Sequence, residues 1–377
     1  MFIHLMNQAG LKVRMDQIGN VFGRLEGRRA KEPAVMVGSH LDTVVQGGKF
    51  DGAVGVVGAL EAVRTLKENR VFLASPVEVV CFVGEESSRF GFSTLGSSLM
   101  TGEIGLEDLA HAVDQDGTKL GDVLSGMGVH RKNLASLRRN PASLKAYLEL
   151  HIEQGPILEA KKKRIGVVTS IAAPTRFRAV ITGQADHSGT TPMEMRRDAL
   201  VAAAHLIIAV EEFSTKYSKM QQGRAVGTVG VIRIEPGVIN AIPGRAELAI
   251  DLRSITPGAK RRVANLVKTK AREISRKKKV KVEILPVRME SPVALDKGIG
   301  RVVKELCEDK GIPYEIMPSG AGHDAMQLAK IVRAGMIFIP SRRGISHSPM
   351  EWTDAKDICL GTQLLTETIM RVANENR

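Results

Sequence analysis

Aromatic side chains are scarce in this chain: one Trp, three Tyr and ten Phe make up 4% of 377 residues. Sequence-tolerant nucleic-acid binders stack bases on aromatic rings. The excess of 54 basic over 41 acidic residues, a formal +13, therefore lacks the side chains that would make it a base-binding surface. The basic clusters at 161–164, 261–262 and 276–279 have no interleaved aromatics and read as solvated surface. The last closes a predicted helix, where cations suit the negative end of the dipole. Cysteine is also sparse. Cys81, Cys307 and Cys359 are far apart, with no C-x-x-C pair, which argues against a disulfide framework or a thiolate metal site. They are expected to be buried small hydrophobes. No apolar run approaches the ~18 residues of a membrane span, and residues 1–6 lack the apolar stretch and cleavage site of a signal peptide. The expectation is a soluble, cytoplasmic chain.

What is present is an ordinary globular composition, 43% hydrophobic and 25% charged, in a chain long enough for two cores. Residues 11–27 suggest two strands around a turn at 17–20. The apolar runs at 34–38, 77–83 and 145–150 are of the buried-strand type. Val56, Leu60, Val63 and Leu66 recur at helical spacing between the first two of these runs. Strands alternating with helices predict an α/β fold with parallel pairs in a mixed sheet. From Ala173 the pattern changes. A strand at 177–182, a helix from Pro192 to about Phe213, strands at 225–234 and 246–253, a helix at 258–275 and a strand at 280–285 give the order β-α-β-β-α-β of a compact α+β sandwich. After Pro292 the alternation resumes, with helices at 298–310 and 323–330, strands at 313–317 and 336–339, and a terminal helix from Thr353. The predicted organisation is one domain, 1–172 with 289–377, interrupted by a smaller one, 173–288.

In open α/β sheets ligands lie beyond the carboxyl ends of the strands, so residues just after the apolar runs are the ones to weigh. They are rich in metal-binding types. His40, Asp51, Glu86, His151 and His347 offer nitrogen and oxygen without sulfur, the donors of a dinuclear site for Zn, Mn, Co or Ni, and a carboxylate such as Asp51 can bridge two ions. Any one of them alone reads as a strand-end or cap residue. Glu85 and Glu86 directly follow a buried strand, where two acids suit two roles, one as ligand and the other as general base; a helix N-terminus attracting acids is the plainer explanation. Asp42, two residues after His40, is spaced to orient that imidazole.

The segments Gly38-Ser39-His40-Leu41-Asp42-Thr43-Val44, Gly47-Gly48-Lys49-Phe50-Asp51-Gly52, Glu85-Glu86-Ser87-Ser88-Arg89-Phe90, His151-Ile152-Glu153-Gln154-Gly155 and Gly344-Ile345-Ser346-His347-Ser348-Pro349 closely resemble the dinuclear aminoacylase/carboxypeptidase-type metallohydrolases. The likeness is closest to their hydantoinase/carbamoylase branch of N-carbamoyl-L-amino-acid, β-ureidopropionate, allantoate and ureidoglycolate amidohydrolases. It runs in order along essentially the whole chain. The resemblance implies one divalent ion on His40, Asp51 and His151, a second on Asp51, Glu86 and His347, and Glu85 as base. His151 in place of an acid is itself a trait of that branch. Members of the family carry a further N-terminal stretch ahead of the segment that begins here at Met1.

The resemblance also makes the interrupting domain a lid and dimerisation domain, hence a homodimer. Its legible motifs are Ala185-Asp186-His187-Ser188-Gly189-Thr190-Thr191-Pro192, Val238-Ile239-Asn240-Ala241-Ile242-Pro243 and Asp251-Leu252-Arg253-Ser254. Arg253 offers a planar fork for a substrate carboxylate, Asn240 an amide that both donates and accepts, and His187 a donor to a developing oxyanion. Arg253 equally suits an ion pair with Asp251 or Glu247. Ser319-Gly320-Ala321-Gly322-His323-Asp324-Ala325 lines the substrate pocket in the family; His323 either contacts substrate or begins a helix. Gln154 either binds the ureido group or supports His151. The implied activity is hydrolysis of a small ureido acid to ammonia and carbon dioxide, with no membrane or nucleic-acid partner. The rivals are an aminoacylase or dipeptidase of the same family and, remotely, a basic nucleic-acid-binding protein.

Overall fold

The computed structural model describes residues 1–105, 109, 112–114, 116–130, 132–220 and 225–375, leaving aside the side chains of Met220, Pro257 and Arg288. The chain divides into two compact units, Met1–Ile171 with Ala294–Arg377, and Ala172–Val293.

In the first unit the strands are β1 (Lys12–Met15), β2 (Val21–Leu25), β3 (Ala34–His40), β4 (Val77–Phe82), β5 (Leu144–Ile152) and β6 (Ile165–Ile171). The second unit holds β7 (Ala173–Thr182), β8 (Asp186–His187), β9 (Ala225–Glu235), β10 (Ala241–Ile242), β11 (Arg245–Ser254) and β12 (Lys281–Met289). The chain passes through the two-residue β13 (Val293–Ala294), and β14 (Tyr314–Ser319) and β15 (Ala334–Ile339) complete the first unit.

The large sheet runs β1-β2-β4-β3-β5-β15-β6, with β14 also on β6. It is mixed. The pairs β3·β4, β3·β5, β15·β5 and β14·β6 are parallel, and β1·β2, β2·β4 and β15·β6 antiparallel. Every residue of β3 and of β15 is buried, as expected of central strands covered on both faces. Helices Ala53–Glu68, Lys297–Asp309 and Ala355–Asn374 turn Val63, Leu66, Val303, Leu306, Leu365 and Ile369 into the core against Val35, Val37, Leu148 and Ile337. A smaller cluster around Leu99, Leu120 and Leu137 packs the segment between β4 and β5. Helix Phe2–Gln8 precedes β1, a turn of structure that the sequence pattern gave no reason to expect.

The second unit is an antiparallel sheet in the order β12-β7-β11-β9. Burial in β11 alternates along its length, since one face packs on helices Ala199–Met220 and Pro257–Lys278 through Leu248, Ile250, Leu206, Val263 and Val267. The basic run at 276–279 does close the second helix. The first helix begins later than the expected Pro192. Residues Met193–Met195 form a separate short 3-10 turn, and the Asp198 carboxylate accepts from the amides of Leu200 and Val201 at 2.9 and 3.0 Å, the geometry of an N-cap.

The cysteines depart from expectation in part. Cys307 is buried, Cys81 half-buried and Cys359 exposed, because Cys359 falls on the outer face of the terminal helix. No helix among the described residues is long and apolar enough to cross a membrane.

Candidate metal centre

The first unit gathers its acids and imidazoles at the carboxyl ends of β3, β4, β5 and β15. His40 is the last residue of β3 and His151 the penultimate residue of β5. Glu85 and Glu86 follow β4 after Gly84, and His347 lies on the loop after β15. Asp51 sits just before helix Ala53–Glu68, in a tight turn through Gly52. That glycine has φ +65°, and a Cβ there would run into the His40 ring, so the backbone needs both the freedom and the missing side chain.

Three donor sets result among the described residues, one of them Glu149, His151 and His323. His40, Asp51 and His151 converge, as do Asp51, Glu86 and His347, with Asp51 common to both. Asp51 Oδ1 lies 3.1 Å from His151 Nε2 and 3.8 Å from His40 Nε2. Its Oδ2 lies 3.2 Å from His347 Nε2, which is 3.1 Å from Glu86 Oε1.

The arrangement calls for cations. His40 Nδ1 is 2.9 Å from the Asp42 carbonyl and His151 Nδ1 is 2.8 Å from that of Ile152, so each ring places its proton on Nδ1 and turns the Nε2 lone pair to the carboxylates. The Gly52 amide donates to His151 Nε2 at 3.2 Å, which marks that nitrogen as an acceptor. Asp51 Oδ1 is buried with no hydrogen-bond partner, the Nε2 nearest to it being out of hydrogen-bond alignment. Acceptors facing acceptors in a buried space require positive charge between them, and nitrogen and oxygen donors without sulfur fit a divalent first-row ion.

The titration tendencies show the same demand. For His151, burial pulls the proton affinity down, but Asp51 outweighs it and lifts the group to about 9. For His347, hydrogen bonds to Asp51 and Glu86 lift it to about 10. Burial opposes ionisation of Asp51, yet the surrounding imidazoles hold it well below the usual carboxylate range. Without a cation the site attracts protons to those nitrogens. The Gly52 amide pointing at Nε2 nevertheless fits an unprotonated His151.

Glu85 is buried, and its proton affinity is raised well above normal by burial first, then by the negative Asp324, Glu86 and Asp51. Its Oε2 is 3.8 Å from His40 Nε2. Asp42 does not act as its spacing suggested. The main-chain carbonyl orients His40, while the carboxylate, 3.8 Å from Nδ1, accepts from the amides of Glu85 and Glu86 at 3.2 and 2.9 Å. It holds the acid pair in place.

Gln154 is drawn to the Asp51 carboxylate and not to His151: its Nε2 donates to Asp51 Oδ2 at 2.7 Å, and its Oε1 is buried without a hydrogen bond. His323 begins helix Asp324–Leu328 and is buried, its Nε2 2.7 Å from Ser319 Oγ and its ring edge-on to His151 at 4.6 Å. Beneath these lie two acids that sequence reasoning missed, Glu149 and Asp324. Glu149 accepts from Ser39 Oγ and the Ala325 amide at 2.7 and 2.9 Å, and Asp324 from Ser97 Oγ at 2.6 Å. Glu149 was detectable as an acid within an apolar strand, two residues before a ligand candidate and so on the same face.

The other predicted residues lie in the second unit. His187 is exposed on β8, accepting at Nδ1 from the Gly189 amide at 3.0 Å. The Asn240 carbonyl takes the Ser188 amide at 3.0 Å. Arg253 on β11 pairs with Asp251 at 3.2 Å, as its plainer explanation had it, and Arg176 shares that carboxylate at 3.3 Å.

Residues 36–371 match the model of Peptidase family M20/M25/M40. An N-carbamoyl-L-amino acid amidohydrolase of Geobacillus stearothermophilus is 39% identical over 98% of this chain and 88% of its own. An allantoate amidohydrolase of Bacillus subtilis is 35% identical over 98% of this chain and 88% of its own. Among solved structures, AtUAH in complex with glyoxylate superposes with a TM-score of 0.90 at 37% identity, covering 99% of this chain and 89% of that one.

Proposed function

The chain belongs to peptidase family M20/M25/M40, and from that premise we propose that it is an amidohydrolase acting on a non-peptide C–N bond, the ureido bond of an N-carbamoyl amino acid, allantoate or a related ureido acid. The observation that carries this reading is the shared Asp51, a buried carboxylate with an unpaired oxygen and imidazole nitrogens on both sides.

His40, Asp51 and His151 would hold one divalent ion and Asp51, Glu86 and His347 a second, and such ions would supply polarisation of a carbonyl oxygen and a lowered pKa for water. Glu85 takes the proton of the attacking water and delivers it to the departing nitrogen. Burial and the negative Asp324, Glu86 and Asp51 raise its proton affinity, which suits a group that takes up a proton. Asp42 keeps Glu85 and Glu86 apart in their two roles by fixing both amides. Gln154 and His323 are assigned to the ureido group, and Arg253, Asn240 and His187 to the substrate carboxylate and carbonyl oxygen. One water is consumed for each ammonia and carbon dioxide released from a carbamoyl group, leaving the amine.

The second unit is proposed to pair with a copy of itself. Its edge strand β9 exposes Val226, Val231, Ile232 and Ile234, an unpaired edge of the kind that association covers.

A substrate panel separates the readings. After loading with manganese, cobalt or zinc, the protein is expected to release ammonia from N-carbamoyl amino acids or allantoate. Release of free amino acid from N-acetyl substrates, with no ammonia from any ureido acid, would replace this assignment with an aminoacylase.

A further inference from the structure

Two loops supply Asp51 and His347, and one side chain ties them together. Glu351 is only 2% exposed, and among the described residues no Lys, Arg or His pairs with it. Its Oε1 accepts from the amides of Phe50 and Asp51 at 2.9 and 3.1 Å, and its Oε2 from Ser346 Oγ at 2.7 Å. Ser346 Oγ also lies 3.2 Å from Asp51 Oδ2, and Ser346 directly precedes His347. The Glu351 amide donates to the Ser348 carbonyl at 3.0 Å, closing the His347 loop on itself. One carboxylate thus spans residues about 300 apart in sequence, each adjacent to or identical with a ligand candidate.

Three features around it serve that bond. The backbone of Gly48 approaches so closely that a Cβ there would run into the Glu351 carboxylate, so the missing side chain makes room for it. His347 has φ +54°, a left-handed conformation disfavoured for a side-chain-bearing residue, and the bonds on either side offset the cost of holding it. Phe50 and Trp352, the neighbours of Asp51 and Glu351, meet edge to face at 5.5 Å.

We infer that Glu351 is a positioning residue that sets the separation of Asp51 and His347 and thereby the affinity of the ion held by Asp51, Glu86 and His347. The inference rests on the two-ion reading above. A buried charge left without a cation is costly unless its hydrogen bonds are filled, and here they go to the backbone of one ligand and the neighbour of another. His40 and His151 are fixed by their own main-chain carbonyls, so the ion they share with Asp51 depends less on Glu351.

The test compares wild type, Glu351→Gln and Gly48→Ala in zinc and manganese titrations of the metal-stripped protein. Bound metal is measured by elemental analysis, and the single tryptophan, Trp352, serves as a fluorescent reporter beside the bond. Loss of a partner behind a ligand costs about 10- to 100-fold in metal affinity. The expected result is that size of loss for one ion of the two in both variants, the Trp352 transition moving to higher metal concentration, while the other ion binds nearly as in wild type. Gly48→Ala reaches the same point without altering any charge. Unchanged affinity for both ions in the two variants overturns the inference, and so does an equal loss of both, which marks general loosening of the fold. A wild type that takes up no zinc or manganese overturns the two-ion reading as well, and is distinguished by failing before any substitution is made.

Discussion

The two units treat their polar residues differently. In the first, the candidate acids are tied to groups remote in sequence: Asp51 to Gln154, Ser346 and Glu351, and the Glu85-Glu86 pair to Asp42. In the second, among the described residues, the His187 and Arg253 side chains bond to partners two residues away, Gly189 and Asp251, the latter carboxylate shared with Arg176, and Asn240 meets the Ser188 amide through its main-chain carbonyl alone. A buried, cross-braced site is built to hold fixed charge in fixed places. Exposed side chains with local partners keep the freedom to exchange those partners for a ligand, at little cost in stability. Under the proposed function, the difference separates the half of the chemistry that must be rigid from the half assigned to recognise substrate.

The sharpest way to break the contrast is to remove the shared carboxylate. Asp51→Ala is expected to abolish both activity and tight metal uptake, because both donor sets that share it lose a member; two ions retained per chain would contradict the bridging role. Glu85→Gln comes next. It should keep its metal and lose about 10²- to 10⁴-fold in kcat, which a metal analysis run beside steady-state kinetics will check.

The pH response follows from the imidazoles. Both are raised above their ordinary value of 6.5, His151 to about 9 and His347 to about 10, so below those values an incoming ion must displace a proton. Metal affinity is expected to climb by about tenfold per pH unit for each proton displaced and to level off above about 10. The metal-free fold shows the opposite sign. Its imidazolium pairs stabilise fully below about 6.5, and that contribution is lost as pH rises through about 9 to 10. Thermal melts with and without metal across that window read both trends. The smallest effect belongs to the second unit: Arg253→Met should raise KM on the order of ten- to a hundredfold with kcat and metal content nearly unchanged. A fall in metal content instead would erase the division of labour.

Much of this was legible in the sequence, for reasons that also explain the rest. β3, β4 and β5 announce themselves as apolar runs because a central strand covered on both faces has no polar face to show, and the chemistry stands at their ends because that is where the backbone stops pairing. The helix at Ala199–Met220 was misplaced at its start because Pro192 resembles a first-turn proline, whereas the capping side chain is Asp198, six residues further along. Asp42 was identified with the wrong atom in mind, since spacing cannot tell a carbonyl from a carboxylate. Glu351 was invisible: its partners at 50 and 51 are some 300 residues away, and a lone acid four residues past a histidine carries no local signature.

The central claim is that a pair of cations shares Asp51. Anomalous diffraction from crystals soaked in a zinc or manganese salt tests it most directly. Two peaks are predicted in each chain, one bordered by His40 and His151 and the other by Glu86 and His347, with the Asp51 carboxylate between them. Density in which these side chains surround no anomalous peak would contradict it.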